Sequence, residues 1–150
     1  MLLCEAAAFY RKRGLTLVDQ MENIYKKYGY YKEDILTVTL KGADGAEKMK
    51  DLVNSFRESP LKEIAGYKVE KFRDYKKEII IDYKTNKESK TDLPNSNVLY
   101  YEMADEAWCC VRPSGTEPKL KFYMGVREKT EEAANVKLAK LKRAMENLTY

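Results

Sequence analysis

Apolar side chains recur along this chain in two rhythms, one close to the period of a helix and one of two residues. Leu2, Leu3, Ala6, Ala7, Phe9 and Tyr10 fall at helical spacing, and Gly14 is suited to the C-terminal cap. Thr16 then offers an N-cap, with Asp19 three residues on and favourable to the helix dipole. Leu17, Met21, Ile24, Tyr25 and Tyr28 make the apolar stripe of this second helix, and Gly29 stops it. Residues 29–34 read as a connection between units. From Ile35 to Leu40 the period becomes two, with Leu36, Val38 and Leu40 on one face of a strand. Asp44 with Glu47 resembles a capping box, opening a helix that turns Met49, Leu52, Val53 and Phe56 inward and ends at Pro60. Residues 67–75 are β-rich but charged, which predicts an edge strand. Within 76–97 the run Ile79, Ile80, Ile81 predicts a strand, and the surrounding charges and turn formers predict an exposed loop. Residues 98–103 and 107–112 form a hairpin across Ala104, Asp105 and Glu106. Residues 119–126 alternate strictly, Leu120, Phe122, Met124 and Val126 against Lys119, Lys121 and Tyr123. A last helix starts near Thr130, with Glu131 and Glu132 at its positive end and a stripe of Ala134, Leu138, Leu141, Met145 and Leu148.

These elements predict an α+β fold: a mostly antiparallel sheet with helices packed on one face, preceded by a helical segment with no strands of its own. The length of 150 residues suits one domain, or one domain plus part of another. A globular chain of this size keeps roughly 8,000 Å² of surface out of about 25,000 Å², so a core needs no staples. With 44% hydrophobic and 35% charged residues, 7 Gly and 4 Pro, the chain is neither collagen-like, low-complexity nor wholly disordered.

No apolar run is long enough to span a membrane, and Met1 to Glu5 lacks the pattern of a signal peptide. The net charge of +4 is too small to argue for nucleic acid by itself. Histidine is absent, which excludes a His-based triad, metal site or proton relay within the chain. Cys4, Cys109 and Cys110 are no disulfide framework. Adjacent residues on a strand face opposite ways, so Cys109 and Cys110 are expected to be small packing residues, reduced in a cytoplasmic protein.

One segment carries sharp chemistry: Arg112-Pro113-Ser114-Gly115-Thr116-Glu117-Pro118-Lys119, between two predicted strands. Arg112 supplies a planar fork suited to bidentate phosphate binding. Ser114 and Thr116 add hydroxyls, and Gly115 lets a main-chain N–H approach closely. Lys119 and Lys121 add positive charge, and the two prolines lower the entropy lost when the loop grips a ligand. Pro, Ser, Gly and Thr are also ordinary turn residues. On chemistry alone the loop reads equally as a turn or as an anion cradle.

That segment, continued by Leu120-Lys121-Phe122-Tyr123, closely resembles the phosphate-binding loop in the C-terminal domain of the α-D-phosphohexomutases, the phosphoglucomutases and phosphomannomutases. Residues 93–99 and Trp108 resemble the same family, and residues 2–5 through 28–31 resemble the end of its third domain. The resemblance implies a TATA-binding-protein-like C-terminal domain over residues 34–150, with residues 1–33 a remnant of the third domain plus the hinge. It implies Arg112, Ser114, Gly115, Thr116 and Lys119 as ligands of the non-reacting phosphate of a hexose phosphate. Glu117 and Pro118 would shape the loop. The family's phosphoserine, its Mg²⁺-holding Asp-rich loop and its sugar-binding Gly-Glu-x-Ser-Gly loop lie in three earlier domains, and none of those motifs occurs here. The expectation is therefore a domain that needs its partner domains, holds no Mg²⁺ and is inactive alone. The strand after the loop leans toward the glucose/mannose branch.

Two other readings follow. A stand-alone phosphosugar sensor needs only the loop. A nucleic-acid module needs a basic face such as Lys137, Lys140, Lys142 and Arg143, but these lie opposite the apolar stripe and read as a solvated surface.

Overall fold

The computed structural model describes residues 1–42 and 44–149. Helices α1 (Leu2–Arg11) and α2 (Leu17–Tyr28) come first, then strand β1 (Tyr30–Thr39) and helix α3 (Gly45–Glu58). Strands β2 (Glu63–Ile64), β3 (Tyr67–Asp74), β4 (Ile79–Asp82), β5 (Lys87–Lys90), β6 (Leu99–Met103), β7 (Ala107–Pro113) and β8 (Lys119–Glu128) follow, and helix α4 (Glu131–Asn147) closes the fold. The sheet runs β1-β8-β7-β6-β3-β4-β5, with β2 paired to β3 outside that path. Every pairing is antiparallel. The α+β architecture is the one expected.

Alternation decides which face is covered. Leu120, Phe122, Met124 and Val126 of β8, Cys109 and Val111 of β7, and Leu99, Tyr101 and Met103 of β6 are all buried. Against them α3 sets Val53 and Phe56, and α4 sets Ala134, Leu141 and Met145. Phe56 meets Phe122 edge-on at 6.4 Å between ring centroids, and the Cys109 thiol lies 3.5 Å from the Met145 sulfur. Removing each large side chain from water contributes about 1.5–3 kcal/mol. The other face of the sheet, carrying Tyr100, Glu102, Trp108, Arg112, Lys121 and Tyr123, is covered by no helix among the described residues.

The caps of the first two helices follow their sequence signals. Gly14 takes φ +73°, where the Leu15 N–H reaches Tyr10 O and the Gly14 N–H reaches Arg11 O, a Schellman closure. Thr16 and Asp19 form a complete capping box. Gly29, at φ +99°, ends α2. Yet neither helix buries a single residue. Accessible surface totals 9993 Å², above the roughly 8,000 Å² of a globular chain this long. These two helices, with Leu2, Leu3, Val18 and Met21 exposed, contribute to the excess.

Several local expectations are corrected. Tyr30 to Asp34 is no connection but the first half of β1, paired residue for residue with Glu128 back to Met124. Asp44 occupies the N-cap of α3 without a side-chain cap bond, because its carboxylate turns to Lys48 at 2.8 Å. β3 is an interior strand between β6 and β4, not an edge. Its charges are absorbed laterally, Arg73 by Glu102 at 2.7 Å and Glu70 by Lys84 at 2.7 Å. The expected loop after β4 contains β5, which pairs with β4 through Ile79–Lys90 to Asp82–Lys87.

Candidate anion-binding site

β7 and β8 are antiparallel neighbours, and residues 113–119 join them at one end of the sheet. Arg112 stands opposite Lys121, and Lys121 opposite Thr37, so the two cations share one cross-strand row on the uncovered face. Past Pro113 the backbone tightens. Ser114 N–H donates to Lys119 O at 2.8 Å, closing the loop across its base. The N–H groups of Thr116 and Glu117 both point at Ser114 Oγ, at 3.4 Å. A side chain on Gly115 would meet nothing within 4 Å, which leaves that peptide fully open. The Leu40 N–H donates to Pro118 O at 2.9 Å and anchors the loop to the end of β1.

The expected ligand residues are therefore close in space but not converged. Ser114, Gly115 and Thr116 form one turn with hydroxyls and amides at its rim. Arg112 is exposed and makes no ion pair or hydrogen bond among the described residues. Lys119 is held by Glu117 at 2.8 Å, a partly exposed pair. Beside Arg112, the Cys110 thiol is pushed up by burial, and the guanidinium pulls it partly back down. Tyr100, across from Cys110, is raised to about 12 by burial.

The basic helix face does not survive as drawn from the stripe. Lys137 is buried, donating to Glu128 at 2.8 Å and to Asp105 O at 2.5 Å, and Lys142 pairs with Asp34 at 2.7 Å. Only Lys140 and Arg143 of the four stay outside such ion pairs among the described residues. Among the described residues no three Asp, Glu or Cys side chains come together to hold a metal ion, so the residues present do not fit Mg²⁺. None of the described helices is long and apolar enough to cross a membrane.

What sequence reading missed lies behind the loop. Arg57, on the inner face of α3, is buried with Asp74 and donates to its carboxylate at 2.9 Å. It also donates to Asn54 Oδ1 at 3.0 Å and Asn97 Oδ1 at 2.6 Å. Three segments far apart in the chain meet there, α3, the end of β3 and the stretch before β6, and no local pattern announces such a junction.

An antiparallel sheet covered on one face by two helices, with a donor-rich loop joining β7 to β8, defines an α+β domain of the two-layer kind. Residues 47–142 match the family described as phosphoglucomutase/phosphomannomutase, C-terminal domain, and the chain belongs to that family. It is similar to the phosphoglucomutase of Staphylococcus aureus strain MRSA252, 34% identical over 126 residues, and to that of strain N315, 32% identical over 126 residues. Each match covers 84% of this chain and 23% of the relative, so the chain spans about a quarter of those proteins' length. The fold also resembles a crystal structure of the exocytosis-sensitive phosphoprotein pp63/parafusin (phosphoglucomutase) from Paramecium in its open form. That likeness has a TM-score of 0.50 at 17% identity, and covers 89% of this chain and 23% of the other.

Proposed function

We propose that this chain is the C-terminal phosphate-binding domain of a cytoplasmic phosphoglucomutase or phosphomannomutase. Such an isomerase moves a phosphoryl group between the 1- and 6-positions of a hexose. Here the loop grips the phosphate that is not reacting. The resemblance puts the boundary between residues 1–33 and 34–150. Because β1 is continuous from Tyr30, we place it at Gly29, with residues 30–150 as the gripping domain and residues 1–29 as the end of the preceding one plus the hinge.

The observation that carries this reading is the loop itself: a closed turn with two hydroxyls and an open Gly115 at its rim, beside an Arg112 that has no partner among the described residues, in a chain of this family. Phosphoryl transfer depends mainly on positioning and charge stabilisation. Arg112 supplies the bidentate fork, Ser114 and Thr116 their hydroxyls, Gly115 an unobstructed N–H, and Lys119 a point charge once it leaves Glu117. The open arrangement suits a domain that closes on its ligand. Mg²⁺ takes no part in any step assigned to these residues. The phosphoserine and sugar contacts belong to the family's earlier domains, so residues 1–150 by themselves are expected to interconvert no sugar phosphate.

The test is a titration of glucose 6-phosphate into nitrogen-15-labelled chain. The amides of Thr116 to Lys119 move, with a dissociation constant on the order of millimolar, since an exposed charge-assisted bond contributes only about 1.5–3 kcal/mol. Arg112→Ala weakens binding about tenfold, and Arg112→Lys recovers part of it, because an ammonium keeps the charge without the fork. Glu117→Gln, which frees Lys119, tightens binding about two- to fivefold, as expected for an exposed pair. Static loop amides, with shifts confined to Lys140 and Arg143, would refute the assignment.

A further inference from the structure

On the helix-covered side of the same loop lies a separate cavity of about 300 Å³, bordered by Lys50, Asn54, Arg57, Lys76, Asn97 and Ser114. We propose that it is a second anion-binding subsite, taking a phosphate-class oxyanion, distinct from the Arg112 side of the sheet.

The argument is an account of donors and acceptors. Arg57 is donor-only, so an amide facing it must present its oxygen. Both amides do so: Asn54 Oδ1 and Asn97 Oδ1 accept from the two terminal nitrogens of Arg57. Their NH₂ groups are thereby left as donors, and neither makes a hydrogen bond among the described residues. Arg57 is itself fixed by Asp74, whose other carboxylate oxygen accepts from the N–H groups of Lys76 and Lys77. The orientation of the amides is therefore built in.

Two cations complete the rim. Lys50 and Lys76 line the cavity, and among the described residues neither forms an ion pair. Ser114 Oγ already accepts from two N–H groups, so its hydroxyl proton is free to donate outward. No carboxylate lines the cavity. Met49 and Val53 form its apolar wall, which lowers the local dielectric and strengthens each charge–donor contact. A concavity lined by amide, ammonium and hydroxyl donors and by no carboxylate selects an anion, and several donors from different elements suit the several acceptor oxygens of an oxyanion.

The two sides are separable because the sheet divides them. Arg112 shares its row with Lys121 on the uncovered face, while Asn54 and Arg57 sit on α3 against the covered one. Among the lining residues, Pro113 and Ser114 belong to the loop as well.

The 150-residue chain, nitrogen-15-labelled, is titrated with inorganic phosphate at constant ionic strength, and in parallel with glucose 6-phosphate. Expected is movement of the side-chain NH₂ signals of Asn54 and Asn97. The double variant Lys50→Ala/Lys76→Ala weakens that response at least tenfold and leaves the Thr116–Lys119 response in place. Both lysines are exposed, so the remaining spectrum stays unchanged and serves as the folding control. Arg112→Ala does the reverse, which separates failure of this subsite from failure of the loop assignment. Response to inorganic phosphate alone identifies a free-anion site, and response to both identifies one that takes phosphate monoesters. If the Asn54 and Asn97 signals stay still with both ligands, or move equally in the double variant, the subsite does not exist.

Discussion

Trp108 lies against Gly125, its direct cross-strand partner: a Cβ at Gly125 would fall 2.5 Å from the indole Nε1 and 2.6 Å from Cε2. The absent side chain is what lets the ring settle onto β8, with Tyr100 beside it at 5.7 Å and within 13° of parallel. A rigid indole, unlike a flexible chain end, cannot give way by a small rotation.

Gly125→Ala is therefore expected to destabilise the chain by about 1–3 kcal/mol, the usual cost of overpacking. Trp108 is the only tryptophan, so its emission reports the displaced ring directly. A variant with unchanged urea midpoint and unchanged emission maximum would disprove the contact.

Asp34 ties β1 to α4 through Lys142 at 2.7 Å. The bond from Lys142, then the Ile35 N–H, holds its carboxyl below the ordinary carboxylate value. A lowered folded value stabilises the fold at pH above the unfolded value of about 4, and the contribution fades as pH falls through the folded value. Asp34→Asn should thus lower the melting temperature slightly at pH 7 and make a smaller difference near pH 2. The pair is more than a third exposed, so the effect is small. An equal difference at both pH values would contradict this account.

The three thiols should react in a fixed order. Cys4 is exposed, Cys110 is half-buried, and Cys109 is buried. Burial raises both strand thiols, which suppresses the reactive thiolate. Alkylation followed by mass spectrometry should label Cys4 first and Cys110 slowly, with Cys109 modified only under denaturant.

Helices α1 and α2 bury nothing, whereas four alternate residues of β8 are buried. Isolated helices of this length are marginal in water. Amide exchange in residues 16–28 of a dilute monomer should therefore run much faster than in residues 120–126. Equal protection would mean that the pair has found a covering surface.

Legibility in the sequence tracked locality. The caps of α2, the β6–β7 hairpin and the alternation in β8 are signals within a dozen residues, and each reappears in the fold. The candidate loop could be singled out in the sequence because its residues are contiguous, from Arg112 to Lys119. β5 was not, because Lys87-Glu88-Ser89-Lys90 has no apolar residue from which to read a period. β3 looked like an edge because its charges are neutralised by partners on β6 and after β4, which the sequence alone does not bring alongside. Lys137 looked solvated for the same reason: its acceptors, Glu128 and Asp105, come from a strand end and a hairpin turn. The Arg57 junction joins positions up to forty residues apart, beyond any local pattern.

β1 and β8 stay in register from Tyr30–Glu128 to Thr39–Lys119, a paired ribbon about 30 Å long at roughly 3.3 Å per residue. Gly29 sits at one end of it, beside Arg127 and Glu128, and the anion loop begins at the other. In the proposed function, with Gly29 as the hinge, that ribbon would be a lever with its fulcrum and its working tip at opposite ends. A turn of about 10° at the fulcrum carries the tip about 5 Å along its arc, roughly the width of one phosphate, with no strand pairing broken on the way.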